Sequence, residues 1–222
     1  MELGSNERVA RMIGLYASGC FPMTDPETGE THILDPDPRA VMPLCEAEGF
    51  HVPRRLEATL RQKRFVLTSD EAFSDVVRAC AAPRRPARPS ESVSEQTWIG
   101  ARLMHAYDEL HHAGYAHSIE AWVVDGSTRR LVGGIFGVHI GGFFAGESMF
   151  SRPEIGGTNA SKACLVALVR HLASRGVVLF DVQFSNPHLE QFGVRLWRRA
   201  VYHRMLRAAV GMEVTWGLFE NV

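Results

Sequence analysis

The sequence has no apolar run that reaches the ~18 residues a membrane span needs, so no membrane contact is expected. Neither sign of charge dominates: 24 Lys and Arg stand against 25 Asp and Glu, a formal net charge of −1. A global basic signature for nucleic acid is therefore missing, no DNA partner is expected, and any RNA contact must use local patches. The first residues, MELGSNERVARMIG, are charged early and lack a signal-peptide core, which points to the cytoplasm. Cysteine is sparse and scattered (Cys20, Cys45, Cys80, Cys164) with no C-x-x-C pair. Zinc and redox motifs are excluded on that spacing, and reduced, buried packing is expected instead. There is no internal repeat, heptad array or low-complexity block. H-E-x-x-H, G-x-S-x-G, Walker and G-x-G-x-x-G patterns are all missing. His111 and His112 are adjacent on a helix and diverge in direction, so no metal is expected.

What the sequence does have is clear periodicity. Residues 6–18 read as a helix stopped by Gly19, and the Pro- and Asp-rich stretch that follows reads as turns and short extended pieces. The first 50 residues look like a small appended unit, with 51–222 as the main domain. RFVLTSD (64–70) predicts a strand. Phe73, Val76, Val77 and Cys80 place one apolar stripe on a helix over 70–82, with Thr68 and Glu71 as a capping box. Residues 82–96 predict a polar, Pro-rich mobile loop. A second amphipathic helix covers 97–113. Three extended segments follow at 115–124, 130–140 and 143–150, joined by turns at DGSTRR and Gly141–Gly142. The helix predicted over 160–175 is apolar nearly all round and should be buried. A buried strand at 177–184, a basic helix at 197–209 and a final extended MEVTW complete the chain. This order predicts an α+β fold with a mostly antiparallel sheet flanked by helices.

Two short stretches carry candidate chemistry. In FDVQF, alternation sets Asp181 and Gln183 on one face and Phe180, Val182 and Phe184 on the other. That polar face is either wet or a site. In GGFFAGESMFSR, the same arithmetic places Glu147 with Phe143, Ala145 and Met149. A buried acid without partners costs several kcal/mol or gives up its charge, so Glu147 is either a solvent-facing residue or a deliberate acid in an apolar site. EIGGTNASK reads as a plain turn or a helix N-terminus able to hold an anion. RLWRRAVYHRMLR, with Trp197 and Tyr202 among its arginines, reads as a solvated helix face or a base-stacking surface.

The motifs SGCFPM, DPDPRAV, TWI, AHSIEAW, LVGGIFGV, GESMFSR, NASK and DVQF..PH occur in that order across residues 8–205. Together they make the chain resemble the leucyl/phenylalanyl-tRNA–protein transferases. The resemblance implies a small N-terminal domain (1–50) and an acetyltransferase-like (GNAT) domain (51–222). It implies transfer of Leu or Phe from Leu-tRNA or Phe-tRNA to the α-amine of proteins beginning with Arg or Lys, marking them for N-degron proteolysis. It also implies a monomer with no metal or organic cofactor, the aminoacyl-tRNA being a co-substrate. By position, Asp181, Gln183 and Glu147 fall at the reaction centre. Ile135, Phe144, Met149, Leu165, Leu168, Leu172 and Phe180 fall in the aminoacyl pocket, and Trp98 and Tyr107 near the terminal adenosine of the tRNA. In this chain Ile33 and Leu34 stand where tryptophan is common, and RPEIGGTNASK is longer than the usual loop. Two rival functions are an acyl-CoA-dependent N-acetyltransferase, which wants a pyrophosphate loop that RPEIGGTNASK only loosely imitates, and a non-catalytic RNA-binding module built on residues 195–207.

Overall fold

The computed structural model describes residues 4–82 and 97–220. Helix α1 (Ser5–Ala17) ends before Gly19, which holds a left-handed φ of 91°. Strands β1 (Phe21–Thr24) and β2 (Thr31–Leu34) form an antiparallel hairpin, followed by β3 (Arg39–Met42). Then come α2 (Arg54–Arg61), β4 (Val66–Ser69), α3 (Phe73–Ala81) and α4 (Ala101–His112). The meander is β5 (Ala116–Asp125), β6 (Thr128–Ile140) and β7 (Phe143–Ser151). The chain closes with α5 (Ala160–Arg175), β8 (Leu179–Gln183), the short α6 (Pro187–Glu190), β9 (Arg195–Trp197) and α7 (Arg199–Val210).

The large sheet runs β4-β5-β6-β7-β8-β3-β9, and every neighbouring pair is antiparallel except β7 with β8. A parallel pair needs a crossover of a dozen or more residues; α5 supplies it, lying between β7 and β8 in the chain. As its composition predicts, α5 is buried over most of its surface, with Cys164, Leu165, Leu168 and Leu172 all in the core. One face of the sheet packs Ile119, Ile135, Phe144 and Phe180 against α2 and α5. The opposite face packs Phe136, Phe143 and Leu179 against residues of α1, α3, α4 and α7. Helices therefore cover the sheet on both sides.

Several expectations change. MEVTW forms neither helix nor strand; residues 213–220 lie across the molecule as an irregular strap. The proposed capping box is not one: α3 begins after Ala72, Thr68 donates to Glu120 instead, and Glu71 pairs with Arg129. Cys80 and Cys164 are buried as expected, but Cys45 is exposed and Cys20 half-buried. Residues 39–42, on the N-terminal side of the expected boundary at residue 50, form an interior strand of the large sheet. The expected mobile loop at 82–96 lies, apart from Ala82, outside the described residues.

Candidate active site

Strands β7 and β8 pair only over Phe143–Leu179, Phe144–Phe180 and Ala145–Asp181. Beyond Ala145 and Asp181 they part, and a cavity of about 1020 Å³ opens between them. A parallel seam that ends mid-sheet leaves backbone groups and inward side chains open to a ligand. Gly146 stands at the split, where an added Cβ would come within 2.8 Å of the Phe180 ring. Only glycine lets that ring lie flat along the cleft floor.

The apolar end of the cleft is walled by Ile135, Met149, Leu165 and Phe180. Four of the seven residues expected in an aminoacyl pocket are thus brought together. The other three, Phe144, Leu168 and Leu172, sit one layer deeper, fully buried in the core between the sheet and α5. Trp98 reaches the cleft from the segment before α4. Tyr107, expected beside the tRNA adenosine, is fully buried and has no ring face to offer a base. Tyr202, interleaved with the C-terminal arginines, is also fully buried and so cannot stack a base.

The polar end centres on Glu147, and its placement corrects simple alternation. Phe136 pairs with Ser148 and Gly137 with Gly146, so Glu147 is the extra residue of a β-bulge. The bulge reverses the faces after it. Met149 turns to the α5 side with Ile135, while Glu147 remains on the α4 side. Its Oε2 accepts from the Tyr107 hydroxyl at 2.8 Å, and Tyr107 meets the Tyr16 hydroxyl at 3.2 Å. Its Oε1 is buried and has no hydrogen-bond partner among the described residues. Burial drives the Glu147 carboxyl up to about 7; the Tyr107 and Tyr16 hydroxyls pull it down, and the charge of Asp181 adds to the rise. Glu147 is thus poised to exchange a proton near neutral pH. Burial also raises both tyrosines well above their ordinary value, so they remain protonated donors.

Asp181 is fully buried, and both its oxygens are engaged. Arg39 Nε and the Gln183 backbone N–H donate to Oδ1, each at 2.9 Å. Arg39 Nη2 donates to Oδ2 at 2.6 Å and the Tyr202 hydroxyl at 2.9 Å. Arg39 is itself 1% exposed, donates from Nη1 to the Gly19 carbonyl at 2.8 Å, and lies against the rings of Phe21 and Tyr202. A bidentate guanidinium–carboxylate pair in this setting is rigid and directional.

Gln183 is the strained member. Its φ is 55°, a left-handed conformation that costs a non-glycine residue roughly 1 kcal/mol, and its N–H is tied to Asp181. Its side chain lines the cleft, where Nε2 is buried without a partner among the described residues. Three unsatisfied polar atoms therefore belong to residues lining one cleft: an acceptor, Glu147 Oε1, a donor, Gln183 Nε2, and the Ser148 hydroxyl, which can do either. Such atoms cost about 1–3 kcal/mol each unless a ligand completes them.

Sequence reasoning missed Arg39, Tyr16 and Tyr202, the side chains that surround Asp181 and Glu147. The one available signal was an arginine inside the apolar run RAVM. At EIGGTNASK the turn reading is favoured: Ser161 N–H, at the start of α5, is taken by Ser151 Oγ at 2.8 Å. Among the described residues no three His, Cys, Asp or Glu side chains converge as a metal requires.

Fold and site define a class first: an α+β protein whose sheet divides between two parallel strands to hold paired acceptor and donor groups. Comparison with known proteins takes this further. The family described as leucyl/phenylalanyl-tRNA protein transferase matches residues 44–207. Proteins named leucyl/phenylalanyl-tRNA–protein transferase are similar over nearly the whole chain. That of Phenylobacterium zucineum is 46% identical, over 90% of this chain and 82% of its own. Those of Akkermansia muciniphila and Salinibacter ruber are each 42% identical, covering 90% and 92% of this chain and 94% and 81% of theirs. The solved structure of FemX superimposes with a TM-score of 0.52 at 10% identity, over 78% of this chain and 65% of that one, just under two thirds of its length. That likeness concerns the fold alone. The chain belongs to the leucyl/phenylalanyl-tRNA protein transferase family and is a transferase.

Proposed function

We propose that the chain moves Leu or Phe from the 3′ end of a charged tRNA to the N-terminal α-amine of a protein beginning with Arg or Lys. The observation that carries this reading is the pairing of an unsatisfied acceptor, Glu147 Oε1, with an unsatisfied donor, Gln183 Nε2, in one cleft. Aminolysis of an ester needs both, an acceptor for the attacking amine's proton and a donor for the carbonyl oxygen.

The donor's side chain lies at the apolar end, against Ile135, Met149, Leu165 and Phe180, and its terminal adenosine lies on Trp98. The amine nitrogen attacks the ester carbon. Gln183 Nε2 donates to the oxygen as negative charge grows there, an interaction worth roughly 3 kcal/mol in comparable sites. Glu147 accepts the ammonium proton. The C–N bond forms, the ester C–O bond breaks, and the departing ribose oxygen takes the proton. Asp181 has its acceptors filled, which favours a positioning role for it over that of base: it fixes the Gln183 backbone. The demand on the base is small, because an α-amine of pKa ~7.7–8.0 is already partly neutral at pH 7. Orienting amine and ester supplies most of the remaining gain.

The reading extends further. The product is marked for N-degron proteolysis. The protein works as a cytoplasmic monomer without metal or organic cofactor, since the ester is already activated. The main sheet is of the acetyltransferase-like (GNAT) type; the parallel split between β7 and β8 supports this. The N-terminal unit is α1 with the β1–β2 hairpin, whose Phe21 and Met23 reach the cleft.

The test is transfer of labelled Leu or Phe from charged tRNA to Arg-, Lys-, Asp- and Glu-starting peptides. Transfer to the Arg and Lys peptides is expected. Acetyl-CoA turnover with no aminoacyl transfer to any peptide overturns the reading.

A further inference from the structure

Trp216 sits on the irregular strap that follows α7, beyond the residues 44–207 that match the family. It is nevertheless 9% exposed and belongs to the core on the α5 side. Its indole Nε1 donates to Ser69 Oγ at 3.0 Å, and its ring stacks on His117 at 4.3 Å. His171 meets its edge at 4.5 Å, and Phe144 lies 5.7 Å away. Phe144 packs edge-on against Phe180 at 5.4 Å, and Phe180 is the cleft floor. The strap is tied down beside the indole by Arg175, whose Nε and Nη2 donate to Thr215 O at 3.2 Å and Thr215 Oγ1 at 3.3 Å.

Seating the indole is not free. Nε2 of His139 and Nε2 of His171 are buried around it with no hydrogen-bond partner among the described residues. A core built only for stability has little reason to bury two orphan imidazole nitrogens. What the indole does achieve is a rigid backing for Phe144, since close-packed aromatic layers transmit displacement rather than absorb it.

We propose that Trp216 is a specificity-determining residue: by backing Phe144 and, through it, Phe180, it sets the depth of the apolar end of the cleft and so the size of the donor side chain accepted. This rests on the reading of the cleft as an aminoacyl site. Removing the indole lets Phe144 withdraw from behind Phe180, and the pocket deepens. A longer donor side chain gains, and a shorter one loses contact.

The experiment compares kcat/KM for Leu-tRNA and Phe-tRNA with one Arg-starting peptide in the wild type, Trp216→Phe, Trp216→Ala and Arg175→Ala. In Trp216→Ala the Phe-to-Leu ratio is expected to rise by about fivefold or more, within what one methylene of pocket depth commands. Trp216→Phe is expected to shift it less and in the same direction. Arg175→Ala loosens the strap from an exposed position and keeps the test alive if Trp216→Ala does not fold. Equal loss with both donors, at an unchanged ratio, reduces Trp216 to a structural residue and overturns the inference. Wild-type protein that transfers from neither tRNA overturns the aminoacyl reading itself, a separate outcome.

Discussion

Arg39 and Asp181, 142 residues apart in the chain, face each other through two hydrogen bonds of 2.9 and 2.6 Å, both side chains essentially sealed from solvent. A buried pair is strongly destabilised when one partner is lost, by about 3–5 kcal/mol, because the other charge is left uncompensated. Arg39→Ala is therefore expected to lower the urea midpoint sharply. The double variant Arg39→Met/Asp181→Leu should regain most of that stability, since an apolar pair of similar volume replaces the ions. It should still fail to transfer, because the Gln183 N–H loses its anchor. Recovery of activity along with stability would show that the pair is scaffolding alone.

Glu147 carries the pH dependence. Transfer should rise as pH passes through about 7, where the carboxyl gives up its proton. Glu147→Gln should remove that limb, leave the amine's own rise near ~7.7–8.0, and lower kcat by roughly 10²–10⁴. The sign for stability is opposite. The carboxyl titrates at 4.5 ordinarily and at about 7 when folded, so between those values the folded chain binds the extra proton. Stability then falls as pH rises through that window. Glu147→Gln should be the more stable protein at pH 8, by up to about 3 kcal/mol, as chemical denaturation would measure.

Tyr107→Phe removes the hydroxyl that holds Glu147 down. The rising limb of the rate profile should move to higher pH, with a stability cost of about 1 kcal/mol. An unshifted limb would detach Glu147 from that profile.

Gln183→Gly separates strain from function. Glycine tolerates a φ of 55°, so stability should hold or improve by about 1 kcal/mol. The missing Nε2 donor should cost roughly 10²–10³ in kcat. Retained transfer would exclude Gln183 as the carbonyl donor.

His139 predicts an acid limit. Burial lowers its pKa from 6.5 to about 4, with His117 adding to the fall. The unfolded chain therefore takes up the proton first, and stability drops as pH falls from 6.5 towards 4. That single site accounts for roughly 3 kcal/mol across the window. His139→Phe should flatten this part of the stability–pH curve.

The residues that carried the fold in the sequence were those whose period is local. The stripe Phe73, Val76, Val77 and Cys80 became α3, and the all-round apolar run after Asn159 became α5. The turns at Gly126 and Gly141 closed the meander as read. MEVTW alternates like a strand but joins no sheet; Trp216 is drawn into the core instead, its indole donating to Ser69 Oγ. Asp181, Gln183 and Glu147 were legible as polar residues in apolar company. Their roles were not, since those depend on Arg39, Tyr16 and Tyr202, which reach them across 142, 131 and 21 residues respectively for the contacts and charges that matter. Tyr107 had the right neighbourhood and the wrong orientation: a helix stripe says which side is buried, not whether a hydroxyl points at an acid.

The bulge at Glu147 makes β7 behave like a shaft with a half-turn coupling. Upstream of it, Phe143 and Ala145 bear on one core; downstream, Phe150, an odd step away and so assigned to the other face by plain alternation, bears on that same core, while Met149 bears on the other. Deleting Glu147 would leave Gly146 opposite Gly137 and Ser148 opposite Phe136, an unbroken ladder with β6 in which nothing beyond the coupling turns over. The amino acids would be the same, less one. Met149 would stay opposite Ile135, so the cleft would keep its apolar wall and lose only its acid.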